Sequence, residues 1–152
     1  MLEPQPFCVY TCKVSMQTIQ EFFTAFEHSN PSENEIPYAT FFAPTFMSAG
    51  ADGVRAITSD QLATVASKRK VLFDQLGRRS TTLVRVEEHN IDPYYVMTTT
   101  EWRWHFEPEG SAAFDITLPA THILYRSPDG LRIVFYRTGD VMQALRERGL
   151  MV

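Results

Sequence analysis

The stretch TTTEWRWHF, residues 98–106, alternates bulky or small side chains with charged ones. Such alternation is typical of a β-strand with one buried face, because successive side chains of a strand point to opposite sides of the sheet. Trp102 and Trp104 then share one face, and the charged residues beside them, ending with His105, share the other. We expect the tryptophans to face the core, since charged groups beneath helices would need partners. His105 is accordingly predicted to point away from the core.

The same period of two continues through the second half of the chain. It predicts four strands, separated by turn sequences that contain Pro, Asp or Gly. We therefore expect a four-strand antiparallel meander. The predicted strands cover residues 81–89, 94–106, 113–125 and 131–138.

Apolar residues of the first half recur at helical spacing instead. Two longer helices and a short one between them are predicted there, then a short C-terminal helix over about 140–148. Residues 45–57 are expected to be extended chain broken by Gly50 and Gly53. The first helix is predicted to begin at the N-cap Ser15 and to end at Asn30-Pro31. The second is predicted to begin at a Ser32–Glu35 capping box and to end before Pro44. The third is predicted to begin at a Thr58–Gln61 capping box and to end at Gly77.

Length and composition favour a single folded domain over residues 1–152, with 44% hydrophobic residues. A net charge of −4 argues against nucleic-acid binding, because phosphate recognition needs a concentrated basic face. Cys8 and Cys12 are the two cysteines, too few for a disulfide framework, and no metal site or cofactor is expected. The sequence has no membrane span and begins without a signal-peptide pattern, so a cytoplasmic location is expected.

Pairing across the second and third strands predicts which side chains share a face. A loop centred near residues 109–110 would place Trp102 opposite Thr117 and Trp104 opposite Asp115. The other face would then carry both His105 and His122. It would also expose an apolar stripe, which predicts a homodimer through this outer sheet face. That stripe consists of Phe114, Ile116, Leu118 and Leu124.

The segment SPDGLRIVFYRTG, residues 127–139, looks like the final hairpin of the nuclear transport factor 2-like superfamily. The order of helices and strands over about residues 14–148 resembles the same superfamily. The resemblance implies an α+β, cone-shaped fold, with N-terminal helices packed on a curved antiparallel sheet and a short C-terminal helix. It also implies a small apolar ligand held in the cone and dimerisation through the sheet.

The superfamily includes ketosteroid isomerases and scytalone dehydratase, and their machinery is not matched by this sequence. The isomerase tyrosine of the first helix would fall on Phe22, its general base near Ala49, and its oxyanion-hole aspartate on Thr121. An aspartate–histidine pair of the dehydratase type also lacks a match, since both strand histidines are predicted to face outward. Isomerase chemistry of that type is therefore not expected.

Three functions remain open at this point. The leading hypothesis is a dimeric protein that binds an apolar or aromatic small molecule in the cone. The second is a cofactor-free lyase, isomerase or hydrolase with Asp115 as base and Tyr38 or Arg137 as helper, although Asp115 and Arg137 could equally form an internal ion pair. The third is a scaffold whose own side chains fill the cone. The predicted ligand-binding residues are Phe22, Phe26, Tyr38, Phe42, Phe46, Thr98, Thr100, Trp102, Trp104, Asp115, Thr121, Tyr125, Phe135 and Arg137.

Overall fold

A computed structural model describes residues 17–29 and 38–151. The chain forms three α-helices, one 3-10 helix and six strands in those ranges. They are α1 (Ile19–His28), the 3-10 helix (Tyr38–Phe41), β1 (Phe42–Gly50), β2 (Gly53–Thr58), α2 (Ser59–Gln75), β3 (Arg78–Asn90), β4 (Tyr95–Phe106), β5 (Phe114–Ser127), β6 (Gly130–Thr138) and α3 (Val141–Glu147).

The strands form one sheet in the order β2-β1-β6-β5-β4-β3. All neighbours are antiparallel except β1 and β6, which run parallel. The predicted α+β cone fold is confirmed, and β3 to β6 form the predicted meander. The prediction of only four strands was wrong, because the extended segment after the 3-10 helix folds as a hairpin and joins the sheet beside β6.

Both described long helices begin at capping boxes. In α1 the Thr18 hydroxyl accepts from the Glu21 amide at 3.0 Å, and the Glu21 carboxylate accepts from the Thr18 amide at 2.9 Å. The predicted N-cap Ser15 lies outside the described residues, as do Asn30-Pro31 and the Ser32–Glu35 box. The Thr58–Gln61 box at the start of α2 is confirmed.

Gly77 ends α2 with a φ of +97°, as predicted. A Cβ atom at this position would also meet the Glu107 carbonyl oxygen at 2.7 Å. Both the backbone conformation and the close approach of another strand therefore require glycine here.

The predicted second α-helix was wrong over its described part. Only a single 3-10 turn forms, and the chain becomes strand at Phe42 and continues through Pro44. Pro44 lacks an amide hydrogen for the ladder. It is tolerated because the pairing between β1 and β6 is irregular between Phe42 and Met47.

The core lies between the helices and one face of the sheet, in two clusters. The larger cluster joins the phenylalanines of α1, the 3-10 helix and β1 with the sheet around Trp102. The smaller cluster packs α3 and the end of α2 against the loop end of the β4–β5 hairpin. Its buried members are Phe73, Phe106, Ile116 and Leu145. None of the described helices is long and apolar enough to cross a membrane.

The register between β4 and β5 differs by one residue from the prediction. Trp102 pairs with Leu118, and Trp104 pairs with Ile116. The connection covers residues 107–113, so its centre is residue 110 rather than a point between 109 and 110. Because side chains alternate along a strand, a shift of one residue exchanges the two faces of β5. The tryptophans still face the core, but every β5 assignment reverses.

Five predicted cone residues therefore lie on the outer face instead. On β5 the one-residue shift moves them outward. On β6 a β-bulge at Val134, opposite Ile123 and Leu124, adds one residue to the strand. Ile133 and Tyr136 therefore both face inward, and Phe135 and Arg137 face outward. The residues corrected in this way are Asp115, Thr121, Tyr125, Phe135 and Arg137.

The predicted outer apolar stripe is wrong for the same reason. Ile116 and Leu124 are buried on the inner face, and Phe114 and Leu118 face the same way. His122 also faces inward, against the prediction. His105 faces outward as predicted.

Candidate functional site

The centre of the cone is occupied by aromatic side chains. Phe26 lies at ring-centroid distances of 5.0 Å from Tyr38, 5.4 Å from Phe41 and 6.0 Å from Trp102. Spacings of this size are those of packed aromatic neighbours. The aromatic residues expected to line a ligand pocket thus pack against one another.

The inward-facing threonines of β4 are also engaged. Thr98 donates to the His122 carbonyl oxygen and Thr100 to the Ala120 carbonyl oxygen, each at 3.3 Å. The Thr100 hydroxyl further accepts from Trp102 Nε1 at 2.8 Å. These groups hold the sheet and orient the indole, so their hydroxyl hydrogens are not available to a ligand.

His122 is a buried titratable group of the cone. Its side chain packs at centroid distances of 5.2 Å from Phe23 and 6.0 Å from Phe26, and it stacks on Tyr136. Its Nδ1 is buried and has no hydrogen-bond partner among the described residues. Burial among rings lowers the pKa of His122 to about 3, because the imidazolium form would lose its hydration. Burial likewise raises the pKa of Tyr38.

Open space occurs at the edge of the cone, beside β3. A cavity of about 430 Å³ lies where the C-terminal ends of α1 and α2 meet the first half of this strand. We call it the edge cavity. Its volume falls within the range of small-molecule sites, but its lining is charged and polar rather than aromatic. The lining residues are Glu27, His28, Lys70, Asp74, Arg78, Arg79, Ser80, Thr81 and Thr82.

Arg78 is the most buried cation of the edge cavity, with 10% of its side chain exposed. Its guanidinium carbon lies 5.3 Å from the ring centroid of Phe73 and 5.6 Å from that of Trp104. Burial lowers the pKa of Arg78, and its ion pair with Asp74 at 3.4 Å opposes that effect. The group remains a cation, since arginine titrates far above neutral pH.

Asp74 is shared between two cations. Its closer partner is Lys70, at 2.6 Å, and that hydrogen bond lowers the pKa of the carboxyl. Lys70 and Asp74 are four residues apart on one side of α2. Arg78, the first residue of β3, reaches the same carboxylate from beyond the helix end, and all three residues line the cavity.

Two further polar features lie at the edge strand β3: the Thr81 hydroxyl and the Leu83 amide. The Thr81 hydroxyl oxygen is buried, and no described residue bonds to it. The Glu27 carboxylate of α1 accepts a hydrogen bond from the Leu83 amide at 2.6 Å. That bond shows that amides of β3 point toward the helices at this edge, away from β4.

A second charged cluster lies on the outer face and is exposed. His105 Nδ1 is 2.6 Å from Asp115 Oδ1, and His105 Nε2 is 3.0 Å from Glu107 Oε2. These hydrogen bonds, first that to Asp115, raise the pKa of His105. Asp115 and the exposed Arg137 are therefore separated from the cone by the sheet, which removes the predicted base and its arginine helper from that site.

The sequence interpretation missed the edge cavity and His122. The signal for His122 was the alternation of β5, in which His122 shares a face with the apolar residues Ile116, Leu118 and Leu124. The signal for the cavity was the spacing of Lys70, Asp74 and Arg78, which joins the end of α2 to the first residue of β3. The sequence did not predict the open space between the ends of α1 and α2 and the edge of the sheet.

Comparison with solved structures gives the class of fold. Aln2 from a Streptomyces species superposes with a TM-score of 0.67 at 15% identity, covering 97% of this chain and 99% of that one. A nuclear transport factor 2-like protein with a cystatin-like fold from Novosphingobium aromaticivorans gives 0.66 at 11% identity, covering 88% and 86%. The beta subunit of benzoate 1,2-dioxygenase from Burkholderia mallei gives 0.60 at 13% identity, covering 82% and 89%.

The chain therefore has the nuclear transport factor 2-like fold. No protein-family model matches the sequence, and no curated protein matches it. At these identities the structural similarity establishes the fold and leaves the activity to be argued from the site.

Proposed function

We propose that this protein is a homodimeric small-molecule-binding protein whose ligand occupies the edge cavity. The observation that carries the proposal is a cavity of about 430 Å³ on which a buried arginine and a threonine hydroxyl converge, the latter with no hydrogen-bond partner among the described residues. A buried polar atom without a partner costs free energy, which a bound ligand would recover. The aromatic cone centre supports this location, because its rings already fill the volume expected for an apolar ligand.

The ligand site is tested by native mass spectrometry of the purified protein and of two tryptophan variants. Thr81→Trp places a large ring in the edge cavity from the inward-facing side of β3 and should abolish retention of a co-purifying molecule. Thr64→Trp changes an exposed threonine on α2 outside the cavity and should retain it. A molecule that a folded Thr81→Trp variant still retains would locate binding elsewhere, and a wild-type protein that never retains one would count against the proposal.

The homodimer proposal is supported by a row of apolar side chains on the outer face. Met97, Ile123, Phe135 and Met47 are register partners across β4, β5, β6 and β1, so they form a continuous line. Met47 is 39% exposed, and an apolar line of this kind across an open sheet suits a self-complementary contact. This row replaces the stripe predicted from sequence, which is buried in the core.

A further inference from the structure

We infer that the edge cavity binds the carboxylate group of a small polar organic acid, with Arg78 as its principal partner. This inference rests on the proposed function, because it assigns the chemical class of the molecule in the same cavity. Three sets of contacts lead to it.

The first is the incomplete pairing of Arg78 within residues 17–29 and 38–151. A guanidinium has five N–H donors, and the hydrogen bond described for this one is to Asp74 at 3.4 Å. The rings of Phe73 and Trp104 flank the group and replace much of its water without accepting its hydrogen bonds. An arginine that is desolvated and held by two rings, with donors directed to a cavity, matches the two oxygens of a carboxylate.

The second is the charge of the cavity wall. Lys70, Arg78 and Arg79 contribute three positive charges, against the carboxylates of Glu27 and Asp74. Both carboxylates are already engaged, Asp74 by Lys70 at 2.6 Å and Glu27 by the Leu83 amide at 2.6 Å. Arg79 in turn pairs with Glu107 at 3.5 Å, so the wall carries no large positive excess, which suits a monoanion better than a doubly charged phosphate.

The third is the open edge of β3. Because N–H groups alternate in direction along an antiparallel strand, the Thr81 amide points to the same side as the Leu83 amide. The Thr81 hydroxyl is buried beside it without a described partner. A carboxylate at Arg78 would thus also meet hydrogen-bond donors of this residue.

The test is an NMR titration of the purified protein with sodium lactate, with lactamide as its neutral isostere and sodium phosphate as a second anion, all at constant ionic strength. Lactate should shift the backbone amides of Arg78 and Thr81 saturably, and lactamide should not. Arg78→Gln should weaken lactate binding at least about ten-fold, as loss of a charge-assisted hydrogen bond does. Arg55→Gln, at an exposed position of β2, should leave binding unchanged.

Two additional variants keep the test valid if Arg78→Gln does not fold, since this side chain also packs on Phe73. Thr81→Val removes a hydrogen-bond donor to the lactate carboxylate. Lys70→Gln removes a positive charge of the cavity wall and leaves Asp74 to Arg78, so each variant should weaken lactate binding. Equal shifts with lactate and lactamide, saturation by phosphate alone, or no shift with any probe would overturn the inference. A neutral molecule that co-purifies and is lost in a folded Thr81→Trp variant would overturn it while leaving the proposed function intact.

Discussion

His105 and Asp115 are directly opposite each other across β4 and β5, with the imidazole Nδ1 2.6 Å from the carboxylate Oδ1. The pair lies on the face of the sheet that is turned away from the helices. An aspartate–histidine pair with this spacing resembles a catalytic arrangement, but here both groups are solvated and a full sheet separates them from the cone. The pair raises the pKa of His105, and this shift can be measured.

The first prediction concerns the pKa of His105. Asp115→Asn should lower it toward its ordinary value, and Glu107→Gln should lower it less, because the hydrogen bond to Asp115 is the larger cause of the raised pKa. A raised folded-state pKa means that this interaction stabilises the fold below the ordinary histidine pKa. The stabilisation is lost as pH rises through the folded value. NMR titration of the imidazole carbons measures both variants, and an unchanged His105 pKa in Asp115→Asn would contradict the pairing.

The second prediction concerns acid stability and His122. Its pKa is about 3 in the fold against an ordinary 6.5, so below pH 6.5 the unfolded chain binds a proton that the folded chain refuses. The free energy of unfolding should therefore fall as pH drops from about 6.5 toward 3, by up to about 1.4 kcal/mol per pH unit from this group.

His122→Phe fills the same aromatic surroundings with a ring that cannot titrate. Its unfolding free energy, measured by urea denaturation between pH 4 and 7, should depend less steeply on pH than that of the wild type. The difference between the two proteins isolates His122 from the carboxylates that titrate in the same range. Equal pH dependence in both proteins would show that His122 is not buried as a neutral group.

The third prediction tests the inward face of β4. Trp102 is buried, contacts Phe26 and donates to Thr100 Oγ1, so Trp102→Ala should cost about 3–5 kcal/mol of unfolding free energy. Tyr94→Ala truncates an aromatic side chain that is 62% exposed and should change it by less than about 0.5 kcal/mol. Denaturant unfolding compares the two, and similar costs would contradict the assigned faces.

The fourth prediction separates the outer face from the core on a single strand. Ile123→Asp should convert the dimer to a folded monomer, because it places a charge within the apolar row that we propose as the contact. Ile116→Asp, which buries a charge beside Phe106 and Leu145, should instead prevent stable folding. Sedimentation velocity and circular dichroism distinguish these results, and an Ile123→Asp variant that remains dimeric would rule out the sheet-face dimer.

Local patterns determined a large part of the fold from sequence alone. The Thr58–Gln61 capping box and Gly77 marked both ends of α2, because a helix terminus is fixed by groups within a few residues of it. The alternation around Trp102 likewise identified the buried face of β4. The free-energy cost of burying Glu101 or Arg103 beneath the helices without partners depends only on that face of the strand.

Tertiary structure decided what depended on contacts between distant segments. Whether Asp115 or Ile116 faces the core depends on one residue of loop length. The alternation within β5, with Phe114, Ile116, Leu118 and Leu124 on one face, favours the observed register, but a pairing inferred from the loop contradicted it. The pairing of β1 with β6, which brings Met47 beside Phe135, joins segments far apart in the chain. The edge cavity lies where two helix ends approach the edge of β3 that no described strand pairs with. That space is a property of their relative positions, and no single segment of the sequence encodes it.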